Sequence, residues 1–390
     1  MSRQIFLSII VRFLIYFTHW MVLAYLPVLL KSAHFTDIEI GLAISLYSLS
    51  SMALMLPMGT FSDFFSPKST ILAGAFLFGL SFTSMIFFAS FWPMMAAIAV
   101  SGLGVAALIV VSESLYLKLF AQKKPGTRIG LYQLSTYLGF GLGPLAGGFL
   151  ISHSPTALFG TALGICGLIF LVGLFLEDCP PINFSLRQYG QDLKKPQALL
   201  LTACVFILGT HFGVEQTSFS LLLKEDLKLP PQTIGLVFTC IGMWMALVVP
   251  FIGRLHDRHN SIFLFLLIGL MVSGLFQMLT AYACSLRGLL TVRLLHTLGD
   301  TFAMLELSVL ISMFFPSARL GGSAGFMYAV RTTATFISAL LAGVANRYWG
   351  YGFSFFSNGL LVVVFAGASL FFIILNRNRR HSVGWYSLPG

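Results

Sequence analysis

Twelve apolar runs divide almost the whole chain. They fall at about 5–30, 40–62, 69–90, 92–118, 128–153 and 156–176, then at about 197–223, 233–255, 261–284, 287–315, 321–345 and 351–375. A helix needs ~20 such residues to cross the hydrocarbon of a bilayer. Inside that layer every backbone N–H and C=O must be satisfied within the segment. The chain is therefore expected to be an all-α membrane protein with twelve transmembrane helices, numbered here as spans 1 to 12. Only 9% of its residues are charged and its mean hydropathy is +0.90, whereas a soluble domain carries roughly 25% charge. No signal-peptidase site follows the first run, which reads as a retained anchor.

An even number of spans places both termini on one side, and the basic residues indicate which. Arg3, Lys68, Lys123, Lys124, Arg128, Arg187 and eight further Lys and Arg share a side, against Lys31, Lys224, Lys228, Arg287 and Arg347 on the other. The richer side is expected to be cytoplasmic. This sorting accounts for the net charge of +10, since no aromatic-interleaved basic patch suited to nucleic acid exists. The basic tail at 376–390 reads as an orientation signal with an added attraction to anionic membrane lipid. Cys166, Cys179, Cys204, Cys240 and Cys284 show neither a disulfide framework nor metal-ligand spacing. No metal and no cofactor are expected.

The spans repeat as two sixes. Ile40-Gly41-Leu42 matches Ile234-Gly235-Leu236, and the same offset carries Gly59 onto Gly253 and Asp63 onto Asp257. With slips of one or two residues, Thr18-His19 matches Thr210-His211 and Gly104 matches Gly299. The expected organisation is a six-helix bundle at 1–176, a cytoplasmic linker at 177–196, a second bundle at 197–375 and the tail. Each copy of GxxxD ends a second span of its half. A carboxylate there can accept from the exposed N–H groups of a neighbouring helix N-terminus and pair with a cation, such as Lys68 or Arg258, latching the halves together.

Span 5 holds Gly130, Gly139, Gly141, Gly143, Gly147 and Gly148, with Pro144. At about 100° per residue, Gly139, Gly143, Ala146 and Gly147 share one side, and Gly130, Gly141 and Gly148 the opposite one. Small residues in a membrane helix let neighbours approach closely, so this helix is expected to be clamped between two partners.

These features resemble the major facilitator superfamily across almost the whole chain. The stretch Gly59-Thr-Phe-Ser-Asp63-Phe-Phe-Ser-Pro-Lys68 is similar to the family's GxLaDrxGrr motif, with Phe64 and Ser66 departing from it, and Gly253-Arg-Leu-His-Asp257-Arg258 is similar as well. Gly130, Gly139, Gly143-Pro144 and Gly147-Gly148 satisfy the family's span 5 antiporter signature at every position. The resemblance implies a major facilitator fold of two pseudo-symmetric six-helix bundles, with spans 1, 4, 7 and 10 lining a central cavity and span 5 packed on span 8. It also implies exchange of an exported compound for protons. Exporters of this type usually carry an arginine early in span 4, where this chain has Ile98. The repeat-equivalent position in span 10 is Arg293.

Ionisable groups at membrane depth are costly unless paired or hydrated, so each is a site candidate. Span 1 places Arg12, Tyr16 and His19 on one face, with Trp20 beside them. Span 7 places His211 and Glu215 on one face, with Gln216 adjacent. Span 10 carries Arg293, His296 and Asp300 along a stripe, with Glu306 further round. Span 4 has Glu113, span 8 has Trp244 and span 11 has Arg331. Glu215 and Asp300 are the first choices as proton carriers because each has a histidine one turn away, with Glu306 and Glu113 behind them. Arg12, His19, Trp20, His211, Gln216, Trp244, Arg293, His296 and Arg331 are the expected substrate contacts, and His19 and His211 are expected to face each other across the cavity. Gly59, Asp63, Lys68, Gly253, Asp257, Arg258 and the span 5 residues Gly130, Gly139, Gly143, Pro144, Gly147 and Gly148 are expected to serve gating.

The expected protein is a monomeric, multi-pass transporter of the inner or plasma membrane, not an enzyme, with both termini cytoplasmic. It is expected to export a small amphipathic or drug-like molecule against protons by alternating access. The alternative is transport, import included, of an organic anion or other small metabolite held by the arginines. No GxxxxGK loop is present to draw on nucleotide hydrolysis.

Overall fold

The computed structural model describes residues 3–64, 66–87, 90–119, 125–177, 186–259, 263–316 and 320–375. Side chains at 59–64, 117–119 and 186–189 lie outside that description, as does the tail from 376. The described residues form helices α1 (Arg3–Leu23), α2 (Leu26–Ser32), α3 (Asp37–Phe64), α4 (Pro67–Phe87), α5 (Phe91–Leu119), α6 (Pro125–His153) and α7 (Pro155–Gly173). They continue with α8 (Leu186–Leu193), α9 (Pro196–Val214), α10 (Pro231–His259), α11 (Leu264–Thr280), α12 (Leu286–Phe314), α13 (Leu320–Trp349) and α14 (Tyr351–Leu375). No strand occurs among the described residues.

Span 1 is split into α1 and α2 around Ala24 and Tyr25, because Pro27 has no N–H for the carbonyl one turn back. Span 7 is α9 continued by two π-helical stretches, Glu215–Phe219 and Leu222–Asp226. Span 9 is shorter than its apolar run, since α11 begins only after Phe263 turns left-handed at φ 63°. The stretch 177–196, expected to be a linker, contains the short helix α8, and its residues 178–185 lie outside the described ones. Eleven of the described helical segments are long and apolar enough to span a bilayer, and α11 is the shorter twelfth.

The halves meet along two long seams, α6 on α10 and α3 on α13. The glycines of α6 explain the first. A Cβ added at Gly139, Gly143 or Gly147 would run into span 1 at Phe17, Met21 and Tyr25, while one at Gly130, Gly141 or Gly148 would meet α10 at Val249, Gly242 and Pro231. The helix is thus smooth toward its own bundle on one side and toward the opposite half on the other. In the second seam, a Cβ on Gly41 would lie 2.7 Å from the Cα of Gly343.

Contacts join the halves at both ends. At the end where α1 begins and α14 stops, Asp257 takes the N-terminus of α6: Oδ1 accepts from the Gly126 N–H at 2.9 Å, and Oδ2 from the Thr127 N–H at 2.9 Å and hydroxyl at 2.5 Å. At the other end the Tyr25 hydroxyl lies 2.8 Å from the Pro144 carbonyl and 2.9 Å from that of Pro231. There too Tyr351 donates to Asp37, which also pairs with Lys31 at 2.8 Å.

Candidate substrate and coupling site

A cavity of about 110 Å³ is lined from α1, α3, α5 and α6 of one half and α9, α10, α12 and α13 of the other. Its walls are mainly aromatic and hydroxylic, with Tyr16, Trp20, Tyr47, Phe140 and Phe212 beside Ser51, Thr332 and Thr335. Of the expected site residues it collects His19, Trp20, His211, Glu215, Gln216, Arg293, Asp300 and Arg331. The walls take in helices beyond spans 1, 4, 7 and 10.

One wall is a dense charged network. Arg293 grips Glu215 with two nitrogens, at 2.5 and 2.7 Å. The His296 Nε2 lies 3.6 Å from Glu215 and 3.1 Å from Asp300, and the His211 Nε2 lies 3.9 and 3.4 Å from the same two carboxylates. The Ser273 hydroxyl, on α11, donates to Asp300 at 2.6 Å. Glu215 opens the first π-helical stretch of span 7. Such single-turn bulges are frequent at functional sites. The repeat of four residues between His211 and Glu215, and between His296 and Asp300, is what lets two helices offer both types of group to one point.

Several expected residues stand elsewhere. Arg12 does not reach the main cavity: it pairs with Glu113 at 2.7 Å, donates to Thr136 at 3.0 Å and to Ser112 at 3.2 Å, and stacks over Tyr16 and Tyr132. The pair borders a smaller cavity of about 40 Å³. A buried guanidinium takes the carboxylate within reach, and that places Glu113 apart from the network. His296 is fully buried behind the wall, with Nδ1 2.8 Å from the Ser273 carbonyl. Trp244 is not among the lining residues; its indole N–H is bonded to the Leu294 carbonyl at 2.9 Å. Glu306 is buried against His256 at 2.8 Å, next to the Asp257 contact. His19 and His211 both line the cavity, yet each is engaged in its own half, His19 with the Tyr47 hydroxyl at 2.9 Å and His211 with Asp300.

Among the gating candidates, Gly253 packs on Gly126 beside the Asp257 contact, and Arg258 is exposed. Lys68 sits in the first turn of α4. The backbones of Gly59 and Asp63 belong to α3, and the Asp63 side chain lies outside the described residues. Tyr47, Ser273 and His256 escaped the sequence reading. A serine or tyrosine in an apolar span carries no charge signal, and His256 was hidden inside the GxxxD motif.

The Major Facilitator Superfamily profile matches residues 8–221 and again 201–384. The chain belongs to this superfamily. The quinolone resistance protein NorA of Staphylococcus aureus is 24% identical over 352 residues, covering 88% of this chain and 90% of NorA. An uncharacterized MFS-type transporter of Methanocaldococcus jannaschii, MJ1560, is 21% identical over 335 residues, covering 80% and 85%. Among solved structures, the human organic anion transporter MFSD10 (TETRAN) superposes with a TM-score of 0.73 at 18% identity, over 93% of this chain and 97% of that one. A POT family transporter reaches 0.78 at 13%, over 95% and 96%. The fold is that of two related six-helix bundles, and the protein is a multi-pass membrane transporter rather than an enzyme.

Proposed function

We propose that the protein exports a small amphipathic molecule in exchange for protons, with Glu215, Asp300, His211 and His296 carrying the exchanged proton. One observation carries this reading. His296 Nδ1 faces a backbone carbonyl, which can only accept, so Nδ1 holds a proton and Nε2 presents a lone pair unless it is protonated too. Nε2 then meets the Asp300 carboxylate at 3.1 Å. Two acceptors at that distance repel unless a proton lies between them, so the network favours at least one shared proton.

Protonation from outside would free the substrate, and loss of the proton to the cytoplasm would restore the binding form. The similarity to NorA and the complete antiporter signature on α6 support the outward direction. The proposed moving bodies are residues 1–176 and 197–375, joined by 177–196, rocking along α6–α10 and α3–α13. Asp257 would act as the inner latch. We place the protein in the inner or plasma membrane as a monomer among lipids, with both termini and the linker cytoplasmic. The test is a panel of aromatic amines, acids and zwitterions in proteoliposomes with an imposed pH gradient. Substrate and protons moving in opposite directions support the reading; movement in the same direction overturns it.

A further inference from the structure

Three arginines lie at or beside the cavities, and two are neutralised. Arg12 has Glu113 and Arg293 has Glu215, at 2.7 and 2.5 Å. Arg331 lines both cavities, half-buried, and no carboxylate among the described residues lies within 4.0 Å of it. Its guanidinium sits over the Tyr328 ring at 4.4 Å and the Phe212 ring at 5.4 Å. Aromatic faces attract a cation but do not cancel its charge, and they leave its N–H fork free for an incoming acceptor. An unneutralised guanidinium facing a membrane-embedded cavity is held at a cost that an anion would relieve.

The opposite pole has the reverse sign. With both histidines neutral, Glu215 and Asp300 outweigh Arg293 by one negative charge, and a single proton brings that pole to zero. Gln216 adds a buried side-chain carbonyl with no hydrogen-bond partner among the described residues, an acceptor waiting for a donor. The lining thus offers a lone positive pole on α13 and an acidic pole on the first π-helical stretch of span 7 and α12, with aromatic walls around the space. A substrate cation at the acidic pole does electrostatically what the proton does there, so the two exclude one another, as exchange requires. A purely anionic substrate would instead bind better with the proton present.

We propose that the transported species is a zwitterionic amphiphile, its acidic group received by Arg331 and its basic group by Glu215, Asp300 and Gln216. The inference rests on the proton-exchange reading of the same cavity, but its test needs no gradient. Binding of four probes on one scaffold is measured by equilibrium dialysis with purified protein: 4′-(aminomethyl)biphenyl-4-carboxylate, its methyl ester, biphenyl-4-carboxylate and biphenyl-4-methylamine. The zwitterion is expected to bind about ten-fold more tightly than its ester or the amine, one acidic group on a guanidinium being worth about 1.4 kcal/mol or more. In R331M that preference over ester and amine disappears while amine binding persists, and in R331K part of it returns. Thermal unfolding of R331M and R331K within a few degrees of wild type separates loss of the contact from loss of fold; if R331M fails to fold, R331K and R331Q carry the comparison. A wild-type protein that binds the zwitterion no better than the ester, or an R331M that weakens amine and zwitterion alike, overturns the proposal. Failure of proton exchange shows separately, as absence of gradient-driven flux for a probe that binds.

Discussion

Two buried arginine–carboxylate clusters occupy the two halves, and they differ in what is left over. In the first half, Arg12 and Glu113 pair at 2.7 Å, and the remaining guanidinium arms go to Thr136, Ser112 and the Ile109 carbonyl. Charge balances there, with one cation for one anion and no histidine in contact among the described residues. In the second half, Arg293 and Glu215 make an equally short pair, but Asp300, His211 and His296 crowd onto it. That surplus carboxylate and its two titratable neighbours give a proton several places to sit. A satisfied pair fixes helices; an oversubscribed one can change its proton count as its surroundings alternate.

The largest expected effect falls on the oversubscribed cluster. E215Q and D300N are each expected to lower pH-gradient-driven substrate flux by at least ~100-fold, the loss of about 2.7 kcal/mol of coupling, while exchange of labelled for unlabelled substrate continues once the substrate concentration is raised to offset the weaker binding. Flux that keeps its gradient dependence in both variants would move the proton site elsewhere. In the satisfied cluster the expected effect is on stability. E113Q leaves the Arg12 charge buried and is expected to cost ~3–5 kcal/mol, read as a lower unfolding temperature in detergent. R12M/E113Q together should recover most of it with the proton-to-substrate ratio unchanged. An altered ratio in the folded double variant would give Arg12 and Glu113 a part in coupling.

Smaller effects test the surfaces on which the halves move. Gly143→Leu would drive a side chain into the Phe17 backbone of α1. It is expected to slow exchange about ten-fold with binding affinity retained; lost binding with normal exchange kinetics would make α6 part of the site. D257N removes the charge that holds the α6 N-terminus and is expected to weaken the inner closure by ~1 kcal/mol. Spin labels across the inner end should then report a larger open fraction, and an unchanged distance distribution would deny Asp257 a latching part. The smallest effect is expected for W244F, less than two-fold on binding, since its ring is held by the Leu294 carbonyl outside the cavity.

Periodicity made some of this legible in the sequence and left the rest hidden. Six glycines on α6 sort into two strips by helix geometry alone, and the structure seats one on α1 and the other on α10. The four-residue spacing of His211 to Glu215 and of His296 to Asp300 likewise pointed both pairs at one place. What the spacing could not supply was partner choice between helices. Arg12 and His19 share a face of α1, yet they sit at different depths and meet different neighbours, Glu113 in one case and Tyr47 in the other. Trp244 and Glu306 turned to contacts with their immediate helix neighbours, which no pattern within a single span records. The sequence marks Arg331 as charged; that it alone among the three arginines has no carboxylate within 4.0 Å among the described residues follows only from how the helices pack.

The most direct measurement is proton uptake and release by purified protein in weakly buffered detergent when a binding zwitterionic probe is added. Wild type is expected to release protons on binding, with release abolished in D300N and E215Q and retained in E113Q. Proton uptake on binding, or a release that survives D300N and E215Q but is lost in E113Q, would contradict exchange at the second-half cluster.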